Sequence, residues 1–304
     1  MIFLKKGETI KEETAVTVGM FDGVHLGHQA LLGSLRESAG SLRTLVFTFR
    51  AKDEQSLFTN AEKKRLLAQA GPDYAYLQEC TPGFYATPKE DFIELLKKQY
   101  NMRELVVGRD FRFGKGAEGN AEYLLENAER FGISVRVVPP VLWEGEKIGS
   151  TRIRALVAAG EVSQAAEMLG GYYFASGKVE AGHKIGSSIE FPTTNISTAK
   201  IKPAFGVYAT LTEAQGNCYG SVTNVGVRPT VSSSGRVNIE TNIFGFNGRI
   251  YDQEITVYFV ERLRGEMRFS GLDELREQIA KDKACAQEIL QNVQKQTVYK
   301  PETV

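Results

Sequence analysis

Two apolar periods divide this chain, and the change between them near Gly170-Gly171 constrains its fold more than any other feature. Before that point, short apolar runs at 15–18, 44–49, 74–77, 105–107 and 134–138 alternate with stretches of helical spacing. The helical sets are Leu31, Leu32, Leu35 and Ala39; Leu66, Leu67 and Ala70; Phe92, Ile93, Leu96 and Tyr100; and Leu124, Leu125 and Ala128. Strand and helix in alternation predict parallel strands joined by right-handed crossovers, a doubly wound α/β sheet. Thr87-Pro88-Lys89-Glu90 predicts a helix start, with Thr87 as cap, Pro88 in the first position and Glu90 closing a capping box. Asn120 is the expected cap of a later helix.

After about Gly171 helical spacing nearly vanishes. Strand-like runs at 172–180, 206–211, 219–225, 237–246 and 255–260 predict an antiparallel barrel or sandwich. Asn247-Gly248 reads as a two-residue hairpin turn between the last two. One closing helix is expected, capped by Ser270, with Leu272, Leu275, Ile279, Ile289, Leu290 and Val293 facing inward. The chain thus reads as two domains, 1–170 and 171–304. With 37 basic and 37 acidic residues, no net field draws it to nucleic acid or a membrane surface. No apolar run approaches the ~20 residues of a spanning helix, and the start, Met1 to Lys6, is too short and too soon charged for a secretory signal. Cys80, Cys218 and Cys285 are odd in number and far apart, without a CxxC pair. They read as buried free thiols in a reducing cytoplasm.

Two of the three histidines stand together as His25-Leu26-Gly27-His28, where the first strand runs into the first helix. A helix N-terminus at the carboxyl end of a parallel strand offers unpaired N–H groups to an anion. Gly19, Gly23 and Gly27 allow a tight turn and close approach to phosphate, and imidazoles there can stabilise charge developing on pyrophosphate. A surface or metal-ligating pair is the alternative, but no third ligand lies nearby in sequence. Ser150, Thr151 and Arg154 put two hydroxyls and a guanidinium at a later helix start, which fits a second phosphate grip or an ordinary capped helix.

The segment Gly19 to His28, GMFDGVHLGH, resembles the HxGH motif of the nucleotidyltransferase superfamily, and more closely the bacterial bifunctional riboflavin kinase/FMN adenylyltransferase family, also called FAD synthetase. The stretches VVGRDFRFGKGAEGN and GEKIGSTRIRALVAAGEV are similar to that family's later motifs. The resemblance implies a Rossmann-like nucleotidyltransferase domain in which FMN attacks the α-phosphorus of ATP, pyrophosphate leaves and FAD forms. It implies His25 and His28 as catalytic, with Gly19, Phe21, Asp22, Gly27, Asp110, Lys147, Ser150, Thr151 and Arg154 around the ATP phosphates. One departure stands after the second strand, where Phe49-Arg50-Ala51-Lys52 replaces the family's Pro-His-Pro.

The segments GKVEAGHKIGSSIEFPTTNI, NVGVRPT, NIETNIF and LRGEMRF resemble, in order, the family's riboflavin kinase module, a β-barrel with a C-terminal helix. The resemblance implies Thr193 and Asn195 on the metal and phosphate positions, and Gly182 and Lys184 in the ATP loop. It makes Glu240 the base for the riboflavin 5′-hydroxyl and puts Arg264, Glu266 and Phe269 beside the flavin. Without it, Glu240 reads as a solvent-facing strand carboxylate. Ser187 and Glu190 replace the usual arginine and glycine of the loop, and Asn242 stands where histidine is common. Two readings follow: a bifunctional enzyme making FMN and then FAD, or an FMN adenylyltransferase whose second domain only binds flavin or supports structure. The expected small molecules are Mg²⁺ with ATP, riboflavin, FMN and FAD, handled by a cytoplasmic monomer or weak oligomer without nucleic-acid or membrane partners.

Overall fold

Six parallel strands make the sheet of the N-terminal unit: β1 (Ile2–Leu4), β2 (Thr14–Val18), β3 (Arg43–Phe49), β4 (Tyr74–Gln78), β5 (Met102–Gly108) and β6 (Ser134–Val138). Their order is β1-β4-β3-β2-β5-β6. The computed structural model describes residues 1–51, 53–180, 193–227 and 237–293. All five residues of β2 are buried, as a central parallel strand covered on both faces requires. β3 and β4 extend the sheet to one side of β2, and the chain then crosses to lay β5 on the other side. This reversal leaves a crevice at the carboxyl ends of β2 and β5, where open α/β sheets bind ligands.

Helices α1 (Leu26–Ala39), α2 (Asn60–Ala70), α3 (Lys89–Tyr100) and α4 (Ala121–Glu126) connect the strands. Phe92, Ile93, Leu96 and Tyr100 of α3 are buried in one core with Val16, Val18, Leu45, Phe47, Leu105 and Val107. The cap expected at Asn120 forms, its side chain accepting from the Tyr123 amide at 2.7 Å. The box expected at Thr87 does not. Pro88 itself occupies the N-cap position and no side-chain cap is made, because Thr87 lies one residue too far upstream. The capping box of this unit is at Thr59 and Glu62, opening α2.

The second unit is an antiparallel barrel. β7 (Tyr173–Lys178), β8 (Thr194–Ile196), β9 (Gly206–Ala214), β10 (Asn217–Val227), β11 (Val237–Ile243) and β12 (Glu254–Arg264) follow the order β7-β12-β9-β10-β11-β8. The edges meet where the Glu180 amide donates to Asn195 O at 2.9 Å. The hairpin expected at Asn247-Gly248 is absent, since β11 and β12 are not neighbours: β11 lies between β10 and β8, and β12 between β7 and β9. The two-residue hairpin is instead Gln215-Gly216, with φ of 50° and 77°, joining Ala214 to its partner Asn217 as a doubly left-handed turn does.

By packing, the units divide at Ser150 and Thr151, about twenty residues before the change of period. Residues 1–51 and Phe58–Ser150 form the first, and 53–57 with the described residues from Thr151 onward form the second. The reason is local: α5 (Ser150–Ala159) leads into α6 (Val162–Leu169), whose Val162, Ala165, Met168 and Leu169 are buried, and α6 packs on β7 and β12. The C-terminal helix α7 (Leu272–Val293) packs on β9 and β10. Leu272 is 60% exposed, so the inward stripe lacks its first expected member, and Asp282, Ala286 and Leu290 are its buried residues. The cysteines are free but not buried: Cys218 and Cys285 are exposed and Cys80 is half-buried. Cys218 sits two residues past the hairpin turn and Cys285 on the outer side of α7, where neither meets a core.

Candidate active site

The turn between β2 and α1 is built from left-handed backbone. Phe21 and Val24 have φ of 46° and 43°, and Gly23 has 98°. Phe21 and Val24 are fully buried. Such conformations cost non-glycine residues about 1–3 kcal/mol each and persist only where the surroundings over-determine them. Here they do. Met20 O accepts from Thr48 Oγ1 at 3.0 Å and from Lys63 Nζ at 2.9 Å. Asp22 O accepts from Ser150 Oγ at 2.7 Å, and Val24 O from Gln29 Nε2 at 2.9 Å. With these carbonyls drawn aside, the turn delivers His25 to the N-cap of α1, where its Nδ1 accepts from the His28 amide at 3.3 Å.

That cap fixes the chemistry of His25. A neutral imidazole using Nδ1 as acceptor carries its proton on Nε2, so His25 presents an N–H donor. Burial, then the charge of Lys147, lower its pKa to about 4. His28 stacks on it with ring centroids 3.7 Å apart, and the Phe21 ring lies tilted 5.0 Å from that of His28. Burial, reinforced by His25, Lys63 and Lys147, pushes the His28 pKa well below the ordinary 6.5. Both rings are therefore neutral at pH 7. His28 Nδ1 is buried without a hydrogen-bond partner among the described residues, and such a group is most often satisfied by water or a ligand. Gly27 lies tight against the cap, since a Cβ would come within 3.2 Å of the His25 ring and that ring would have to give way. At the end of β5, Asp110 is ion-paired with Lys147, whose hydrogen bond and charge hold that carboxyl below its ordinary range.

In the barrel unit, Thr193 Oγ1 donates to Glu240 Oε1 at 2.5 Å. Asn195 is paired in register with Glu240, and its Oδ1 accepts from Asn238 Nδ2 at 2.5 Å. Glu240 is also in register with Asn224 of β10. Glu266 Oε1 lies so close over Gly226 that a Cβ there would sit 3.1 Å from it. Arg264 is engaged elsewhere: its guanidinium grips Asp282 of α7 at 2.7–3.1 Å, and Phe269 lies under it at 5.9 Å.

Two family models match the chain, FAD synthetase over residues 7–152 and riboflavin kinase over residues 169–290. It is 34% identical to the bifunctional riboflavin kinase/FMN adenylyltransferase of Bacillus subtilis (strain 168), over 94% of this chain and 96% of that one. The protein of the same description from Escherichia coli (strain K12) is also 34% identical, over 91% and 93%. The chain belongs to the bifunctional riboflavin kinase/FMN adenylyltransferase family. It is similar as well to a solved structure from Streptococcus pneumoniae described as a macrolide-efflux protein, with a TM-score of 0.85 and 30% identity over 94% of this chain and 98% of that one. No helix among the described residues is long and apolar enough to cross a membrane.

In this family member the structure brings Gly19, Phe21, Asp22, His25, Gly27 and His28 into one turn, fastened by Ser150, with Asp110 and Lys147 paired to each other. Ser150 serves the turn directly, as a clamp on the Asp22 carbonyl. Thr151 and Arg154 belong to the second unit, where Arg154 donates to Thr151 Oγ1 at 3.0 Å. Thr193, Asn195 and Glu240 come together, while Gly182, Lys184, Ser187 and Glu190 lie outside the described residues. Sequence reasoning missed Thr48, Gln29, Lys63 and Asn238. Lys63 carried a readable sign: it stands three and four residues before Leu66 and Leu67, inside the apolar stripe of α2.

Proposed function

We propose that the N-terminal unit adenylylates FMN at the turn Gly19 to His28, and that the barrel unit phosphorylates riboflavin at Glu240. The observation that supports the first is the stacked pair of neutral imidazoles at the helix N-terminus on the sheet's switch point. An FMN phosphate oxygen attacks the α-phosphorus of ATP, a P–O bond forms, the bond to the β-phosphate oxygen breaks, and pyrophosphate departs. No proton need be taken up by the protein. His25 Nε2–H, His28 and the first amides of α1 supply donors to the phosphate oxygens as charge moves onto pyrophosphate. Neutral imidazoles act as donors whose strength does not vary near pH 7. Lys147 adds positive charge.

In the barrel unit the riboflavin 5′-hydroxyl attacks the γ-phosphorus, ADP leaves, and Glu240 takes the hydroxyl proton. The Thr193 hydroxyl, bonded to Glu240, holds that carboxylate in place. The hydroxyl and amide oxygens of Thr193 and Asn195 are hard donors of the kind Mg²⁺ accepts alongside nucleotide phosphates. Such an ion would neutralise phosphate charge. No group of three His, Cys, Asp or Glu side chains suited to a metal occurs among the described residues, which fits a cation held largely through ATP. The protein's place is the cytoplasm.

The test is to supply riboflavin or FMN with Mg-ATP and separate the flavins chromatographically. His28→Ala lowers FMN-to-FAD conversion about 100-fold or more and leaves riboflavin phosphorylation at the parent rate. Glu240→Gln does the reverse. Loss of both activities in either variant contradicts the division of labour, and an adenylylating His28→Ala of normal rate removes the turn from the site.

A further inference from the structure

Lys63 places a charge where the pattern calls for an apolar side chain. It lies in the buried stripe of α2 with Leu66, Leu67 and Ala70 and is 1% exposed. A buried ammonium must find partners or give up its proton. Its partners are two backbone carbonyls, Met20 O and Phe49 O, each at 2.9 Å. These carbonyls lie just past β2 and at the end of β3, where two neighbouring parallel strands leave the sheet. Burial lowers its pKa to about 8, while Asp22 and Cys80 favour its charge. Its charge in turn disfavours protonation of His28.

The position of the Met20 carbonyl matters because the next residue begins the left-handed path. Phe21, Gly23 and Val24 all hold positive φ, and the turn's carbonyls at Met20, Asp22 and Val24 each have a side-chain donor. Ser150 and Gln29 hold the far end, while Thr48 and Lys63 hold the near end. Thr48 ties the Met20 carbonyl to β3 from within the strand, while Lys63 joins the Met20 and Phe49 carbonyls from α2, so the two together set the turn relative to the end of β3.

We propose that Lys63 is a positioning residue for adenylyl transfer: by clamping the Met20 and Phe49 carbonyls it fixes the left-handed turn that presents His25 and His28 to the triphosphate. This rests on the reading of that turn as the nucleotide site. Lys63 spends its hydrogen bonds on backbone, so its removal disturbs alignment of the bound nucleotide. Misplacement by about 1 Å costs on the order of 100-fold in rate.

The experiment compares Lys63→Met, Thr48→Val and His28→Ala in the full chain, measuring FMN-to-FAD kinetics, riboflavin phosphorylation and the thermal transition of Trp143 fluorescence. Trp143 is the only tryptophan and lies in the N-terminal unit, in a short hairpin with Lys147, so it reports folding there. For Lys63→Met the adenylylation kcat falls about 10- to 100-fold, with the KM for ATP within about threefold of the parent. The Trp143 transition and riboflavin phosphorylation are retained. A parent-like kcat, or a loss borne by KM alone, overturns the role while His28→Ala stays inactive. An active His28→Ala overturns the underlying site reading and this inference with it. If Lys63→Met loses the Trp143 transition, Thr48→Val decides: it loosens the same carbonyl without burying or removing a charge. A severalfold fall in kcat at unchanged KM supports the clamp, and an unchanged kcat overturns it.

Discussion

Lowering the pH from 7 to about 5 loosens the N-terminal unit, and His25 accounts for about 2 kcal/mol of the change. In the unfolded chain its imidazole has the ordinary pKa of 6.5, whereas burial and Lys147 hold it at about 4 in the folded unit. The folded value is depressed, so the unfolded state binds the extra proton throughout the window between the two. The contribution is complete above pH 6.5 and is lost progressively as pH falls toward 4. Integrated from pH 7 to 5, a shift of that size removes about 2 kcal/mol, about 4–8 °C in the transition of a unit this large. The structure also gives the atom at which the damage occurs. Protonation at Nδ1 removes the acceptor of the His28 amide, uncapping α1. Asn is a strong N-cap residue that does not ionise. Thermal unfolding followed by Trp143 fluorescence, in parent and His25→Asn at both pH values, tests the term by difference, because His28 and the carboxylates are present in both. A pH-dependent drop of equal size in His25→Asn refutes the reasoning.

Two further substitutions test how the sites are held. Ser150→Ala removes the donor to the Asp22 carbonyl and costs about 1 kcal/mol, read as a roughly fivefold fall in the adenylylation rate with riboflavin phosphorylation unchanged. Asp282→Ala leaves Arg264 buried without its carboxylate; side-chain exposures of 18% and 7% place the pair well inside the protein. Breaking such a pair costs about 3–5 kcal/mol, and amide hydrogen exchange in Leu272–Val293 accelerates, while FMN-to-FAD conversion holds.

Much of this architecture is written in local pattern. The alternation up to Gly170-Gly171 encodes parallel strands with covering helices because each crossover needs both, and the His25-to-His28 spacing puts two imidazoles at a helix start whatever surrounds it. The run from Ile239 to Ile243 places Glu240 on a strand, but its proposed role comes from the family motif and not from the local pattern. Local signals misled where they required a partner to confirm them. Asn247-Gly248 has hairpin chemistry, yet β11 and β12 are separated in the barrel, and Thr87 has cap chemistry, yet Pro88 takes the cap.

The sequence by itself determined the two fold classes and the family, and it supplied the proposed site residues, since these depend on period, spacing, residue type and motif. Only the tertiary structure decided their state. The two imidazoles are neutral because the fold buries them near Lys63 and Lys147, far away in the chain. Ser150 is a clamp because folding brings it to the Asp22 carbonyl. The barrel's interior is threaded by hydroxyls, Thr212 to Ser221, Thr210, Thr223 and Thr241, linked at 2.7–2.9 Å across three strands that no local pattern registers. Hydrogen bonding and desolvation depend on which distant groups come within about 3 Å, and that proximity is a property of the fold.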